Sequence, residues 1–407
     1  MKKYTRFLTT LLAAALLVVA ALPSAFAAGS NYSTTIGGVK TTTFDKYLVM
    51  DADANVPNAT FTYAVTAGAK KSYNIQDTDK TFEVLAGVDV DKVTMAGVGT
   101  GAQDFEIVYK QGDTTANDAN ILIKEYDNAT QKYALKTATL DFSQVNFTEP
   151  GVYRYIITES GTNQGITNDA DVTRVLDVYV NDASTTTEKM LVIAGYVLHS
   201  NTDDAPDVAM GSDNGSGGTY TDTKSQGFTN VYDTSDLTFR KEVSGNQASR
   251  DKYFEFTVVI SDAVAGTKYD VDITGADATP LSNDATTVTT AANPTSITVP
   301  DGATTVTQKF YLQHGQEITI KGIAKDSTYT VTENAEDYKS TAAGVTGYTD
   351  GVSGTIVSTD LKTSYLNTRD GVIPTGVLLT VAPFAAIMAI GAVGILVMVG
   401  KKRKRAE

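Results

Sequence analysis

The chain has 407 residues, with 33 lysines and arginines against 47 aspartates and glutamates, and no cysteine. A formal charge of −14 makes nucleic acid and anionic membrane surfaces poor partners. Without cysteine there is no disulfide framework, so a fold outside the cell must hold by core burial or by some other cross-link.

In chain order, Lys2, Lys3 and Arg6 precede an apolar stretch from Leu11 to Leu22, and Ala25-Phe26-Ala27 forms a small-x-small cleavage site. This pattern predicts a signal peptide over residues 1–27. At the other end, Gly371 leads into Val372-Ile373-Pro374-Thr375-Gly376. An uncharged run of 24 residues follows from Val377 to Gly400, then a basic tail over 401–407. That run is long enough to span a bilayer as a helix, and the tail favours the cytoplasmic side. The two ends carry eight of the basic residues and one of the acidic ones, leaving 25 against 46 between them, a net charge of −21.

Between the ends lie roughly 345 residues, enough for two substantial domains. Period-two runs recur: Phe61 to Val65, Tyr153 to Ile157, Val175 to Val180, Phe254 to Ile260 and Tyr329 to Thr332. Short strands separated by Gly, Asn, Asp and Pro clusters predict an all-β chain of sandwich domains. A first strand is expected around Thr42 to Met50. Asp51-Ala52-Asp53-Ala54-Asn55 resembles the first half of a calcium loop, but Val56 stands where the sharp turn needs glycine, so a solvated loop is expected instead. Pro150-Gly151 is a turn signal in a hairpin-like stretch from Phe147 to Tyr153. Asn201 to Tyr220 reads as a long polar loop, and Phe228 to Tyr232 as the strand that ends a domain over 28–232. Asp233 to Asp236 reads as a four-residue connector into a domain over 233–370, whose Asp262 to Pro300 region reads as loops and edge strands.

The two halves repeat a pattern in the same order. A strand with a central lysine comes first, at Lys46 and Lys241, and an aromatic strand follows at Phe61 and Phe254. Near the far end a strand stops at glutamate, Glu159 or Glu333, and each half closes on a strand bearing asparagine, Asn230 or Asn367. A lysine and an asparagine meeting across a core have a chemical use: burial favours the neutral amine, which is a nucleophile. A buried, protonated glutamate would hydrogen-bond the amide oxygen, polarise its carbon and shuttle protons as ammonia leaves. The product is a side-chain amide that no reductant opens.

With these residues in place, the chain resembles the sortase-assembled major (backbone) pilins of Gram-positive bacteria, in particular the streptococcal kind. The resemblance runs from signal peptide to basic tail. It rests on Lys46, on the Gly-x-Tyr-x-Tyr-x-x-x-Glu stretch ending at Glu159, and on Phe-x-Asn at Asn230. In the second half it rests on Lys241-Glu242-Val243-Ser244-Gly245-Asn246, on the Tyr-x-Val-Thr-Glu strand at Glu333, and on Asn-x-Arg-Asp at Asn367. It implies tandem immunoglobulin-like (CnaB-type) β-sandwiches, each with a Lys–Asn isopeptide bond (Lys46–Asn230 and Lys241–Asn367) formed with Glu159 and Glu333 as proton shuttles.

The resemblance further implies a pilus-class sortase that cuts between Thr375 and Gly376 and joins Thr375 to a lysine of the next identical subunit. The segment Val372 to Gly376 departs from the common Leu-Pro-x-Thr-Gly form, having Ile373 and no residue between Pro374 and Thr375. The acceptor lysine falls on Lys224, with Lys189 as a rival. The implied location is the cell surface, in a wall-attached pilus, and minor pilins and a host receptor stand open as further partners. An alternative of the same architecture is a wall-anchored adhesin that does not polymerise. No cofactor or metal is expected: His199 and His314 lack acidic or cysteine partners at ligand spacing and read as surface or turn residues. No hydrolase elbow, phosphate loop or His-Glu-x-x-His motif is present, so an enzyme is not expected.

Overall fold

The computed structural model describes residues 32–74, 81–126, 130–200, 224–275 and 293–371. The expected signal peptide, the segment Val372 to Gly376, the apolar run, the basic tail and the polar loop from Asn201 to Tyr220 lie outside the described residues.

The first half contributes β1 (Gly37–Gly38), β2 (Thr41–Asp51), β3 (Ala59–Ala67), β4 (Lys71–Asn74), β5 (Thr81–Ala86), β6 (Thr94–Ala96), β7 (Glu106–Tyr109), β8 (Ile121–Tyr126), β9 (Gln131–Asp141), β10 (Gly151–Ser160), β11 (Ile166–Thr167), β12 (Thr173–Asp182), β13 (Leu191–His199) and β14 (Gly227–Tyr232). The second half contributes β15 (Thr234–Ser244), β16 (Phe254–Ser261), β17 (Lys268–Thr274), β18 (Ser296–Thr298), β19 (Thr305–Leu312), β20 (Glu317–Ala324), β21 (Thr328–Glu333), β22 (Lys339–Ala342), β23 (Ser353–Thr355) and β24 (Leu361–Thr368).

Burial alternates along the strands that face a core. Every second residue of β16, from Phe254 to Ile260, is buried, and β3 does the same from Ala59 to Tyr63. This is the period a pleated strand imposes on side chains. One sheet runs β1-β13-β12-β10-β3-β7, with β5 also on β10, and faces a second ordered β11-β14-β2-β9-β6, with β8 also on β9. Between them pack Phe44, Leu48, Phe61, Tyr63, Tyr155 and Phe228. The second half repeats the arrangement with sheets β18-β17-β20-β15-β24-β22 and β19-β16-β21-β23 over Phe239, Phe254, Phe256, Phe310 and Ile320. The result is two sandwiches of immunoglobulin-like architecture.

Each sandwich pairs its lysine strand with its asparagine strand side by side and in parallel: β2 with β14, and β15 with β24. Gly227 opens β14 at φ +154°, where an added Cβ would sit 1.8 Å from the Asp45 carbonyl oxygen. That close approach requires glycine.

Four expectations change. Only Asp233 separates β14 from β15, because Thr234 already pairs with Ala324; the connector is one residue, not four. Asp233 is held from both sides, its N–H donating to Gly165 O and its carbonyl accepting from Lys325 N–H. In the Asp262 to Pro300 region β18 is the edge strand expected, but β17 is internal, bonded to both β18 and β20. Pro150-Gly151 makes no hairpin; the strand before it, β9, lies in the opposite sheet, so this turn carries the chain across the sandwich. The Asp51 to Asn55 turn is not a purely solvated loop, because Ala54 and Val56 enter the first core and the Thr234 hydroxyl donates to Asp51 Oδ2 at 3.0 Å.

Candidate functional site

In the first sandwich, Lys46 on β2 is opposite Phe228 on β14, and Asn230 lies two residues further along the same strand, on the same face. Lys46, Glu159 and Asn230 are all buried. The lysine and asparagine therefore meet as neighbours within one sheet rather than across the core, and Glu159 reaches them from β10 in the facing sheet. Lys46 Nζ lies 2.6 Å from Glu159 Oε2, which also accepts the Tyr63 hydroxyl at 2.7 Å. Phe61 packs under the amine, 4.0 Å from Nζ to the ring centroid. Burial pulls the Lys46 amine down to about 8, although Glu159 pulls the other way.

The Asn230 amide is held at both ends. Its nitrogen donates to Glu159 Oε1 at 2.8 Å and to Asn168 Oδ1 at 3.1 Å. Its oxygen accepts the main-chain N–H of Asp169 at 3.0 Å. The sequence reading put the glutamate on the amide oxygen; the structure puts it on the nitrogen, the atom that would leave as ammonia.

The second sandwich uses the same register. Lys241 is opposite Tyr365, and Asn367 again lies two residues beyond. Lys241 Nζ is 2.6 Å from Glu333 Oε1, which accepts Asn367 Nδ2 at 3.1 Å. Phe254 stands where Phe61 does, 4.4 Å from the amine. Phe256, opposite Glu333, stands where Tyr63 is opposite Glu159, and the Ser340 hydroxyl supports the carboxyl group instead, at 2.9 Å. Burial again lowers the lysine to about 8.

Lys224 is exposed and bridges His199 through the main chain, next to Ser225, whose N–H donates to Leu198 O. It therefore sits where the chain passes from the edge of one sheet into β14. Lys189 precedes β13, with its carbonyl accepting the Ser33 N–H.

The sequence reading missed a third buried lysine. Lys136 on β9 is directly opposite Lys46 and lies 3.0 Å from Asp113 Oδ2, 2.7 Å from Asp118 Oδ2 and 2.6 Å from Val108 O. All three ammonium donors are satisfied. Burial works against the Asp118 carboxylate, yet Lys136 and the Asn120 N–H outweigh it and hold its pKa below the ordinary value. This is an ion cluster that ties the loops around β7 to the sheet. It was not legible because Asp113 and Asp118 occupy loops with no periodic pattern. His199 is likewise no surface residue: it is fully buried, with Nε2 3.3 Å from Asp177 Oδ2, whose carboxylate Arg154 grips through two nitrogens at 2.8 Å. His314 is partly exposed and accepts the Val243 N–H at Nδ1. Among the described residues no group of three or more metal-ligating side chains forms.

A buried nucleophilic amine beside a side-chain amide and a carboxyl group, built twice in register, defines a class: β-sandwich domains equipped to close their own Lys–Asn bond. Residues 40–233 match the family described as the Spy0128-like isopeptide containing domain. Residues 235–369 match a domain of unknown function, DUF7601. A pilin of Streptococcus pyogenes serotype M1 is 25% identical over 403 residues, covering 95% of this chain and 98% of that protein. Among solved structures, the major pilin of Streptococcus pyogenes aligns over 83% of this chain and 100% of its own, at 20% identity and a TM-score of 0.47. The T3.2 major pilin from serotype GAS13637 of that organism aligns over 82% and 100%, at 21% identity and a TM-score of 0.47. Residues 40–233 therefore belong to the isopeptide-containing domain family, and over nearly its whole length the chain is similar to a streptococcal pilin.

Proposed function

We propose that this chain is a sortase-assembled major pilin, exported by residues 1–27, held in the membrane by residues 377–400, cut between Thr375 and Gly376, and joined through Thr375 to Lys224 of the next copy. Each sandwich, over 28–232 and 233–370, locks itself by condensing Lys46 with Asn230 and Lys241 with Asn367. The observation that carries this reading is the pair of buried clusters, in which the lysine opposes the residue two before the asparagine in both domains.

The chemistry follows from the geometry. The neutral tautomer of each Lys–Glu pair presents an amine to the asparagine and a carboxylic acid to the amide nitrogen. Attack on Cγ forms the new C–N bond, the glutamate passes a proton to the departing nitrogen, and ammonia leaves. The attacking amine returns a proton to the glutamate, so the ion pair and the buried amide give way to one neutral amide beside a carboxylic acid, and the desolvation cost of two charges disappears.

The intact mass of residues 28–370 tests the locks. Each condensation removes ammonia, about 17 Da, so the unaltered ectodomain should fall about 34 Da short, and Glu159→Ala and Glu333→Ala should each restore one step. Lys136, whose partners are two carboxylates and a main-chain carbonyl with no side-chain amide among them, should add nothing to the deficit. A full-length mass would end the cross-link reading. Polymerisation is read separately, as a ladder of high-mass species in wall extracts. Lys224→Ala should abolish it, and a persisting ladder would move the acceptor to another lysine such as Lys189.

A further inference from the structure

The two clusters differ at one reacting atom. In the first domain the Asn230 carbonyl oxygen accepts the Asp169 N–H at 3.0 Å, and the amide is turned the right way round by Asn168 Oδ1 on its nitrogen. In the second domain the Asn367 carbonyl oxygen is buried and has no hydrogen-bond partner among the described residues.

The cause lies in the neighbouring strand. β11 pairs with β14 only through Ile166 and Thr167 and then stops. Beyond Thr167 the Asn168 side chain and the Asp169 N–H both reach the Asn230 amide instead of extending the ladder. Asp169 is secured by its carboxylate, whose Oδ2 accepts the Thr229 N–H at 2.8 Å and Arg174 at 2.6 Å. Arg174 in turn stacks on Phe228, 4.6 Å from the ring centroid. In the second domain β22 runs straight past, with Ser340 opposite Asn367 and the ladder continuing to Ala342. It supplies no N–H to the Asn367 oxygen.

When the Lys46 amine attacks Asn230 Cγ, the carbonyl electrons move onto Oδ1. That atom carries negative charge until the C–N bond to the leaving nitrogen breaks, the amine proton travels through Glu159, and ammonia departs. A main-chain N–H already at hydrogen-bond distance, held in place by its own residue's carboxylate, stabilises that charge at little further cost of reorganisation. We propose that the main-chain N–H of Asp169 is the oxyanion donor for the first domain, and that the second domain, which lacks one, closes its bond more slowly. This inference rests on the cross-link reading above.

The test follows both bonds in one chain. Uncross-linked ectodomain, recovered unfolded in denaturant, is refolded and quenched with acid at intervals. The two cross-linked peptide pairs are then quantified by mass spectrometry, and tyrosine fluorescence records when folding ends, so that only the rates after folding are compared. The Lys46–Asn230 bond should form at least ~10-fold faster than the Lys241–Asn367 bond, and replacing the Asn168–Asp169 amide by an ester should slow only the first, by ~100-fold. Equal rates in the two domains, or an ester-containing chain that closes as fast as the unaltered one, would overturn the inference alone. A chain that refolds and loses ammonia from neither domain would overturn the cross-link reading and this inference with it. The comparison of the two domains needs no substitution, so it decides the matter even if the ester variant fails to fold.

Discussion

At the scale of single residues, each reactive pair holds one proton between an amine and a carboxyl group. Burial lowers Lys46 and Lys241 to about 8. On the neutral side of that value the proton is present, and the reactive arrangement, free amine with carboxylic acid, is a tautomer of the ion pair whose share does not change with pH. As pH rises through about 8 the pair's shared proton is lost from the amine, and nothing is left to deliver to the departing nitrogen. Refolding the uncross-linked chain across this range should show a level rate that falls above about pH 8. A rate that climbs instead would mean the amine reacts without the glutamate's proton. Lys136 marks the contrast: it too is buried, but two aspartates and a carbonyl surround it, and no side-chain amide is among its partners.

At the scale of strands, the proposed cross-link would tie the lysine strand of each sandwich to its last strand, which are already parallel neighbours. Asn367→Ala keeps the Lys241–Glu333 ion pair and so removes the bond without stranding a charge. Closing the chain between positions 241 and 367 restricts the unfolded ensemble by roughly 5 kcal/mol. The second domain's thermal transition should therefore fall by roughly 20 °C. A shift of only a few degrees, seen by calorimetry, would show that the β15–β24 ladder and its core suffice. At the junction, burial raises the carboxyl pKa values of Asp51 and Asp236, and Asp53 and Asp360 lie close enough to add to both. A carboxyl group raised in the folded state contributes most below its unfolded value and loses that contribution as pH rises through its folded one. Asp51→Asn should accordingly stabilise the chain at pH 7 and make little difference near pH 4, as thermal unfolding at the two pH values would show.

At the scale of the molecule, the proposed bonds set where a pull would travel. Load entering at Lys224 runs along β14, through Asp233 into β15 as far as Lys241, crosses to Asn367 and leaves toward Thr375. The Lys46–Asn230 bond lies off this path, and the Lys241–Asn367 bond lies on it. In single-molecule pulling between Lys224 and the C-terminal end, Glu333→Ala should let the second sandwich extend, whereas Glu159→Ala should leave the length unchanged. Extension in the Glu159 variant would show that the load runs through the first domain.

By itself the sequence determined the all-β class, the double repeat and the six residues of the two clusters. Period-two burial and local motifs such as Gly151 to Glu159 are properties of neighbouring residues, and they survive in one dimension. Which strand lies beside which is not such a property. Pairing of β2 with β14, nearly the length of a domain apart, put lysine and asparagine in one sheet with the glutamate opposite, where chain order had suggested a meeting across the core. The same long-range register buried Lys136 against two loop aspartates and His199 against Asp177. Only the tertiary structure decided that β11 stops short beside Asn230 while β22 runs on past Asn367, because a strand's end is set by what its partner leaves it to bond.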